Sequence, residues 1–210
     1  MRGLCVPAFL LTLAAAGVGP AAAQSIDEDL AAIREATAKY RDIQAALADG
    51  YIPDPTHTCV TAALFGLPAE VGGMGIHYFR PDLLGITAFE PRVTGDNATI
   101  EVSQPEVLVY EPQPDGSLNL VAVEYLVFQA AWEAANGTDE PPMFHDVPFT
   151  LMVDDPATEI DEAHMFEPHY ELHVWTEREN PSGMFAEFNP AVSCPSDAPA
   201  APAPHAGHSQ

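Results

Sequence analysis

Positive charge is scarce in this sequence. Its 210 residues carry 7 lysines and arginines against 31 aspartates and glutamates, a formal net charge of -24 at pH 7. A chain so acidic repels nucleic acid and anionic membrane surfaces and draws in cations, so neither nucleic acid nor a membrane is expected among its partners. Long apolar runs are scarce too. The one at the start, in MRGLCVPAFLLTLAAAGVGPAAAQS, is broken by Gly-Pro before it reaches the ~20 residues of a membrane-spanning helix. No G-x-S-x-G nucleophile turn, phosphate-cradling glycine loop or dinucleotide fingerprint occurs, so the familiar hydrolase and nucleotide-binding machineries find no support. Apolar material itself is not lacking: at 47% hydrophobic residues, this is no acidic disordered polymer.

The first residues read as a signal peptide. One charge at Arg2, an apolar run from Leu4 to about Val18, and the small residues Ala21, Ala22 and Ala23 follow the order of a secretory leader with an A-x-A cleavage site. Residues 1–23 are thus expected to be removed after Ala23, leaving a secreted or periplasmic chain that is off the membrane. Residues 24–194 are enough for a single globular domain with one core. Two cysteines remain, Cys59 and Cys194. In an oxidising compartment an isolated pair is expected as a disulfide rather than as a reactive thiol or a metal site. The remainder, 195–210, is an Ala/Pro/His tail of low complexity and is expected to be disordered.

Between these ends the pattern predicts an α+β fold. Ile26, Leu30, Ile33, Ala36, Tyr40, Ile43 and Leu47 recur at steps of three or four and make one apolar stripe, so a helix is predicted over 25–49. Ser25 with Glu28 fits a capping box, Asp27, Glu28 and Asp29 suit the positive end of the helix dipole, and Gly50 suits a left-handed C-cap. A single stripe implies that this N-terminal amphipathic helix lies on a sheet. Residues 51–96 read as loops with a strand near Ile76 to Phe79. EVLVYEP, the turn letters QPDG and SLNLVAVEYLVFQ make the clearest hairpin signal. A short helix around Trp132, a strand in VPFTLMV, an acidic loop over 154–168, a strand in HYELHVWT and an irregular closing segment complete the reading. The predicted architecture is one helix packed on an antiparallel sheet that can curl toward a barrel.

HYELHVW, residues 169–175, is the candidate site. In a helix, His169 and His173 would lie one turn apart and could chelate one metal. Tyr170, Leu172 and Val174, however, alternate with the polar residues, and the aromatic and β-branched content favours a strand. Strand positions four apart lie about 13 Å from each other, and positions two apart about 7 Å, so Glu171 with either histidine is the workable chelating pair. What remains is a polar strand face carrying His169, Glu171 and His173. His77, in the short strand MGIHYF, is the outside group expected to meet that face. His164, five residues before His169, can fold back toward it, and Glu124, the one charge in Leu120 to Phe128, would be costly in the interior unless paired or ligating. Two or three imidazoles with a carboxylate suit zinc, copper or iron. The competing expectation is local hydrogen bonding of each histidine, with Glu124 paired to Arg80 or Arg92. A metal held by imidazoles should be released as pH falls through about 6.5, the ordinary histidine value. Weaker features are the acidic DDPATEIDE, which lacks EF-hand spacing, His205 and His208 in the tail, and the triplets at Asn97 and Asn136, which match glycosylation sites.

The ordered blocks ATAKYRDIQAALADGYIP, MGIHYF, PEVLVYEP, VEYLVF, HYELHVWT and NPSGMFAEFNPAVSC, covering roughly Ala36 to Cys194, resemble a family of exported bacterial proteins of unassigned function. The resemblance implies export and a single domain; it supplies no catalytic residues, and the 129–162 region and the tail fall outside it. Three function classes follow from the residues. The first is a binder of a metal ion or small ligand through the His/Glu cluster. The second is a metal-dependent enzyme, which needs an open coordination position and an acid or base such as Glu124. The third is a structural or interaction protein of the cell exterior with no ligand.

Overall fold

The computed structural model describes residues 25–157 and 161–195; the predicted signal peptide, most of the predicted tail with His205 and His208, and part of the acidic loop lie outside the described residues. The helical stretch divides where the sequence suggests one rod. Helix α1 (Ile26–Thr37) opens with the Ser25/Glu28 capping box, a 3-10 turn covers Ala38–Arg41, and α2 (Ile43–Ala48) follows. Two side chains explain the break. Thr37 Oγ1 donates back to the Ile33 carbonyl at 2.8 Å, and extended Asp42 accepts from Gln44 N at 2.9 Å and so starts a new helix. Short polar side chains that satisfy the backbone locally compete with helix continuation.

Among the described residues eleven strands follow: β1 (Ile52–Pro53), β2 (Cys59–Thr61), β3 (Gly73–Phe79), β4 (Ile86–Ala88), β5 (Thr94–Gly95), β6 (Val107–Pro112), β7 (Leu118–Phe128), β8 (Met143–Phe144), β9 (Val147–Pro148), β10 (Thr150–Met152) and β11 (His169–Val174). The main sheet is antiparallel, in the order β1-β3-β6-β7-β11-β10, with β2 also paired to β3. It is an open sheet, so the expected curl does not close a barrel. The β6/β7 hairpin lies where its turn letters predict, with Gly116 at φ 84 as a left-handed turn requires. VPFTLMV is split into β9 and the edge strand β10, because Pro148 has no N–H to continue a ladder. Helix α3 (Gln129–Asn136) carries Trp132 and ends at Gly137.

Both faces of the sheet are covered, so the central strands β3, β6 and β11 are buried throughout rather than alternately. One face packs Ile76, Tyr78, Leu108, Tyr110, Val123, Tyr125, Leu172 and Val174 against Leu30, Ile33 and Tyr40 of the helical layer. On the other face, loops place Leu84, Val93 and Phe166 over Phe79, Val107, Leu126 and Phe128. Arg92 pins this second cover, donating to the Phe166 carbonyl at 2.8 Å and to Asp161 at 2.6 Å. Cys59 on β2 is bonded to Cys194 across a Cα–Cα distance of 5.6 Å, which ties the closing segment to the strand beside β3. No helix among the described residues is long and apolar enough to cross a membrane.

Candidate metal centre

The polar residues lie on the sheet face away from the helices. On β11, His169, Glu171 and His173 alternate with Tyr170, Leu172 and Val174, which pack into the helix-side core. HYELHVW is therefore a strand, and the helical metal motif that its H-x-x-x-H spacing imitates does not form. Register supplies the next residue: His173 stands opposite Glu124 of β7, and His77 of β3 reaches Glu124 from the other side, across β6. The Glu124 Oε1 atom lies 2.6 Å from His173 Nε2 and 3.2 Å from His77 Nε2. All three side chains are buried, with Glu124 only 2% exposed.

Glu124 Oε1 and His173 Nε2 are both buried and their 2.6 Å contact lacks well-aligned hydrogen-bond geometry, though the carboxylate and the two histidines attract each other strongly. Nor does an arginine among the described residues neutralise Glu124, as the competing expectation requires. Arg80 pairs with Asp82, and Arg92 with Asp154 and Asp161. The other described basic side chains are also engaged elsewhere: Arg34 with the Thr176 carbonyl, Lys39 with Asp49, Arg41 with Glu177 and Arg178 with Glu111. A buried carboxylate left without a cation is costly, so the charge at Glu124 has to be met by histidine protons or by a bound ion.

A second group shares His77. Asp54, His77 and His164 also bring one donor atom each within 4.8 Å of one another, as do His77, Glu124 and His173. Asp54 Oδ1 accepts from Thr56 N, Thr56 Oγ1 and His57 N, which fixes the carboxylate in a tight turn. Its Oδ2 is buried, has no hydrogen-bond partner and lies 3.9 Å from His77 Nδ1, itself unpartnered. His164 arrives from the loop over the sheet, its ring centroid 5.2 Å from that of His77. It and Met165 both have left-handed backbones, φ 53 and 69, an arrangement that costs non-glycine residues free energy. Asp161 holds the pair there, accepting from Ala163 N and Met165 N at 3.1 Å each.

Between the two groups lies a cavity of about 20 Å³, with Asp54, His77, Glu124, His164, His169 and Glu171 on its polar wall and Phe79 and Phe166 on its apolar one. That is room for about one water or ion. Charge sets the protonation. Burial opposes the charged form of His77, but Glu124, Asp54 and Glu171 outweigh it and raise the imidazole to about 9. For Glu124, burial pushes upward, yet the two histidines hold it well below the ordinary carboxylate value. Burial, with His77 nearby, lowers His164 and favours its neutral form.

Of the residues singled out in the sequence, His77, His173 and Glu124 come together, and His164 joins His77. His169 and Glu171 line the cavity but belong to neither ligand group. His169 Nδ1 is 3.0 Å from the Glu167 carbonyl, and its Nε2 is 3.4 Å from Glu171. Glu124 rather than Glu171 stands with His173, because the register sets Glu171 against Leu126 and Thr150 and sets His173 against Glu124. Asp54 was not anticipated. The only signal in DPTHT is an aspartate followed by a threonine two residues on, the pattern of a side-chain-capped turn. No family model matches the chain, and no curated protein or solved structure matches it either.

Proposed function

We propose that the protein is an exported binder of a transition-metal ion, held by His77, Glu124 and His173. The observation that carries this reading is the set of three buried donor atoms around Glu124 Oε1, two of them without a well-aligned hydrogen-bond partner. A bare ion would satisfy all of them at once. Donors sharing a tetrahedral ion at about 2.1 Å stand about 3.4 Å apart. The 3.2 Å separation of His77 and Glu124 is close to that, and the 2.6 Å separation of His173 and Glu124 would have to open modestly. Two imidazoles and a carboxylate suit zinc, copper and iron(II), and zinc and copper serve as the probes because divalent affinities rise toward them. Size favours an ion over an organic ligand: a cavity of about 20 Å³ is far below the ~300 Å³ at which small-molecule pockets begin.

Catalysis is the second reading. Three protein ligands leave a coordination position free, as hydrolytic zinc sites require, and the adjoining cavity could seat a water there. The cavity itself admits nothing much larger than a water, which supports binding ahead of turnover of an organic substrate. Export is supported by the leader-like start of the sequence, by the resemblance to exported bacterial proteins and by the disulfide-bonded cysteine pair. N-terminal sequencing of the exported protein should begin at Gln24, and a start at Met1 would refute cleavage.

The binding test is equilibrium dialysis of chelator-stripped protein against zinc and copper, read by elemental analysis. Stoichiometric binding that survives removal of residues 197–210 and falls at least tenfold in His173→Ala supports the reading. Binding lost with the tail alone would overturn it.

A further inference from the structure

We infer that His77 bridges two cations, one on each ring nitrogen, with Asp54 and His164 completing a second metal position beside the first. This rests on the reading of His77, Glu124 and His173 as a metal site. The two donor groups lie at opposite edges of one imidazole. Nε2 faces Glu124 at 3.2 Å, and Nδ1 faces Asp54 Oδ2 at 3.9 Å. The second distance is too long for a hydrogen bond but close to the spacing of two donors that share an ion. Asp54 is 1% exposed, and its Oδ2 has no donor although Oδ1 takes three. That carboxylate is fixed by one oxygen and left open at the other, in the direction of His77.

The cavity supplies the space. Its polar wall holds all three residues of the second group, Asp54, His77 and His164, together with Glu124 of the first, so the roughly ion-sized room of about 20 Å³ adjoins both and is open to the second. Charge points the same way. Three buried carboxylates, Asp54, Glu124 and Glu171, face this region, and no lysine or arginine among the described residues pairs with them. One divalent ion leaves that set one unit negative. A second ion takes the Nδ1 lone pair of His77 and releases its remaining ring proton to solvent. Three carboxylates and one imidazolate then balance two divalent ions. The left-handed backbone at His164 and Met165 is held by Asp161 and keeps the His164 ring over His77.

The probes are zinc, counted by elemental analysis after dialysis, and copper(II), followed by electron paramagnetic resonance. Wild type should take up two ions per chain, and doubly copper-loaded protein should give less signal than two isolated ions, because an imidazolate couples their spins. Asp54→Asn, which keeps the oxygen that closes the turn, and His164→Ala, in a loop, should each bind one ion with the full signal of an isolated copper. A wild type that binds a single ion, with the count unchanged in both variants, would overturn the bridge and leave the first site standing; Asp54 would then only orient His77. A wild type that binds no ion would overturn both.

Discussion

Replacing Glu124 by glutamine removes the charge between two imidazoles while keeping the side-chain shape. In the metal-free protein His77 is raised from 6.5 to about 9, with burial opposing the charged form and Glu124 foremost among the groups that favour it. A histidine whose folded value is raised adds stability that is fully present below 6.5 and is lost as pH rises through about 9. At 1.36 kcal/mol per unit, the contribution falls by about 2 kcal/mol between pH 7 and pH 9.5. Both partners are buried, with side chains 8% and 3% exposed, so solvent screening takes little of this. The depressed Glu124 reports the same interaction and is not counted again; its share is lost only in acid, as pH falls through a value below 4.5. His164, lowered by burial, acts in the opposite sense and loses stability as pH falls below 6.5. Above pH 7 buried Glu106, raised to about 8, and the buried tyrosines also lose stability as pH rises, but they do so in wild type and variant alike, so the difference between the two proteins isolates His77. Guanidinium unfolding with chelator present and the disulfide intact should show a drop between pH 7 and pH 9.5 that is larger in wild type than in Glu124→Gln by most of that ~2 kcal/mol. Equal pH dependence in the two proteins would refute the coupling.

Three further outcomes follow from the same geometry. Because an incoming ion must displace the His77 proton, apparent metal affinity should rise about tenfold per pH unit up to about 9, instead of levelling near 6.5; calorimetric titration that is flat above pH 7 would contradict this. Thiol titration of unreduced, denatured protein should find Cys59 and Cys194 without free thiols. Replacing both with serine should cost up to about 4–5 kcal/mol of stability, since their bond spans 135 residues; two free thiols would refute the pairing. Gly75→Ala should destabilise by about 2 kcal/mol or more, because the residue sits at φ 127 and a Cβ would lie 2.6 Å from the Tyr110 carbonyl oxygen; a change under about 0.5 kcal/mol in chemical unfolding would show that β3 can shift away from β6.

Periodicity made the strand at HYELHVW, the β6/β7 hairpin and the capped start of α1 legible, because each is decided by local alternation, turn letters or caps. The cysteine pair was legible from compartment and count. The centre of the site was only half legible. Glu124 stands out as a lone charge in an apolar run and His77 as an outside partner, but which carboxylate meets which histidine is a matter of register across four strands, β3, β6, β7 and β11. No local pattern encodes that, and Glu171 was favoured over Glu124 for want of it. Asp54 escaped notice because its chemistry depends on a single turn laid beside β3. The break in the helical layer was hidden for a similar reason: Asp42 reads as one more polar position on the exposed face until its side chain is seen to start α2.

Anomalous diffraction from crystals of the zinc-loaded protein tests the central claim most directly. A peak is expected within about 2.0–2.2 Å of Glu124 Oε1, His77 Nε2 and His173 Nε2. A peak confined to surface carboxylates, or none inside the sheet face at full zinc loading, would contradict it.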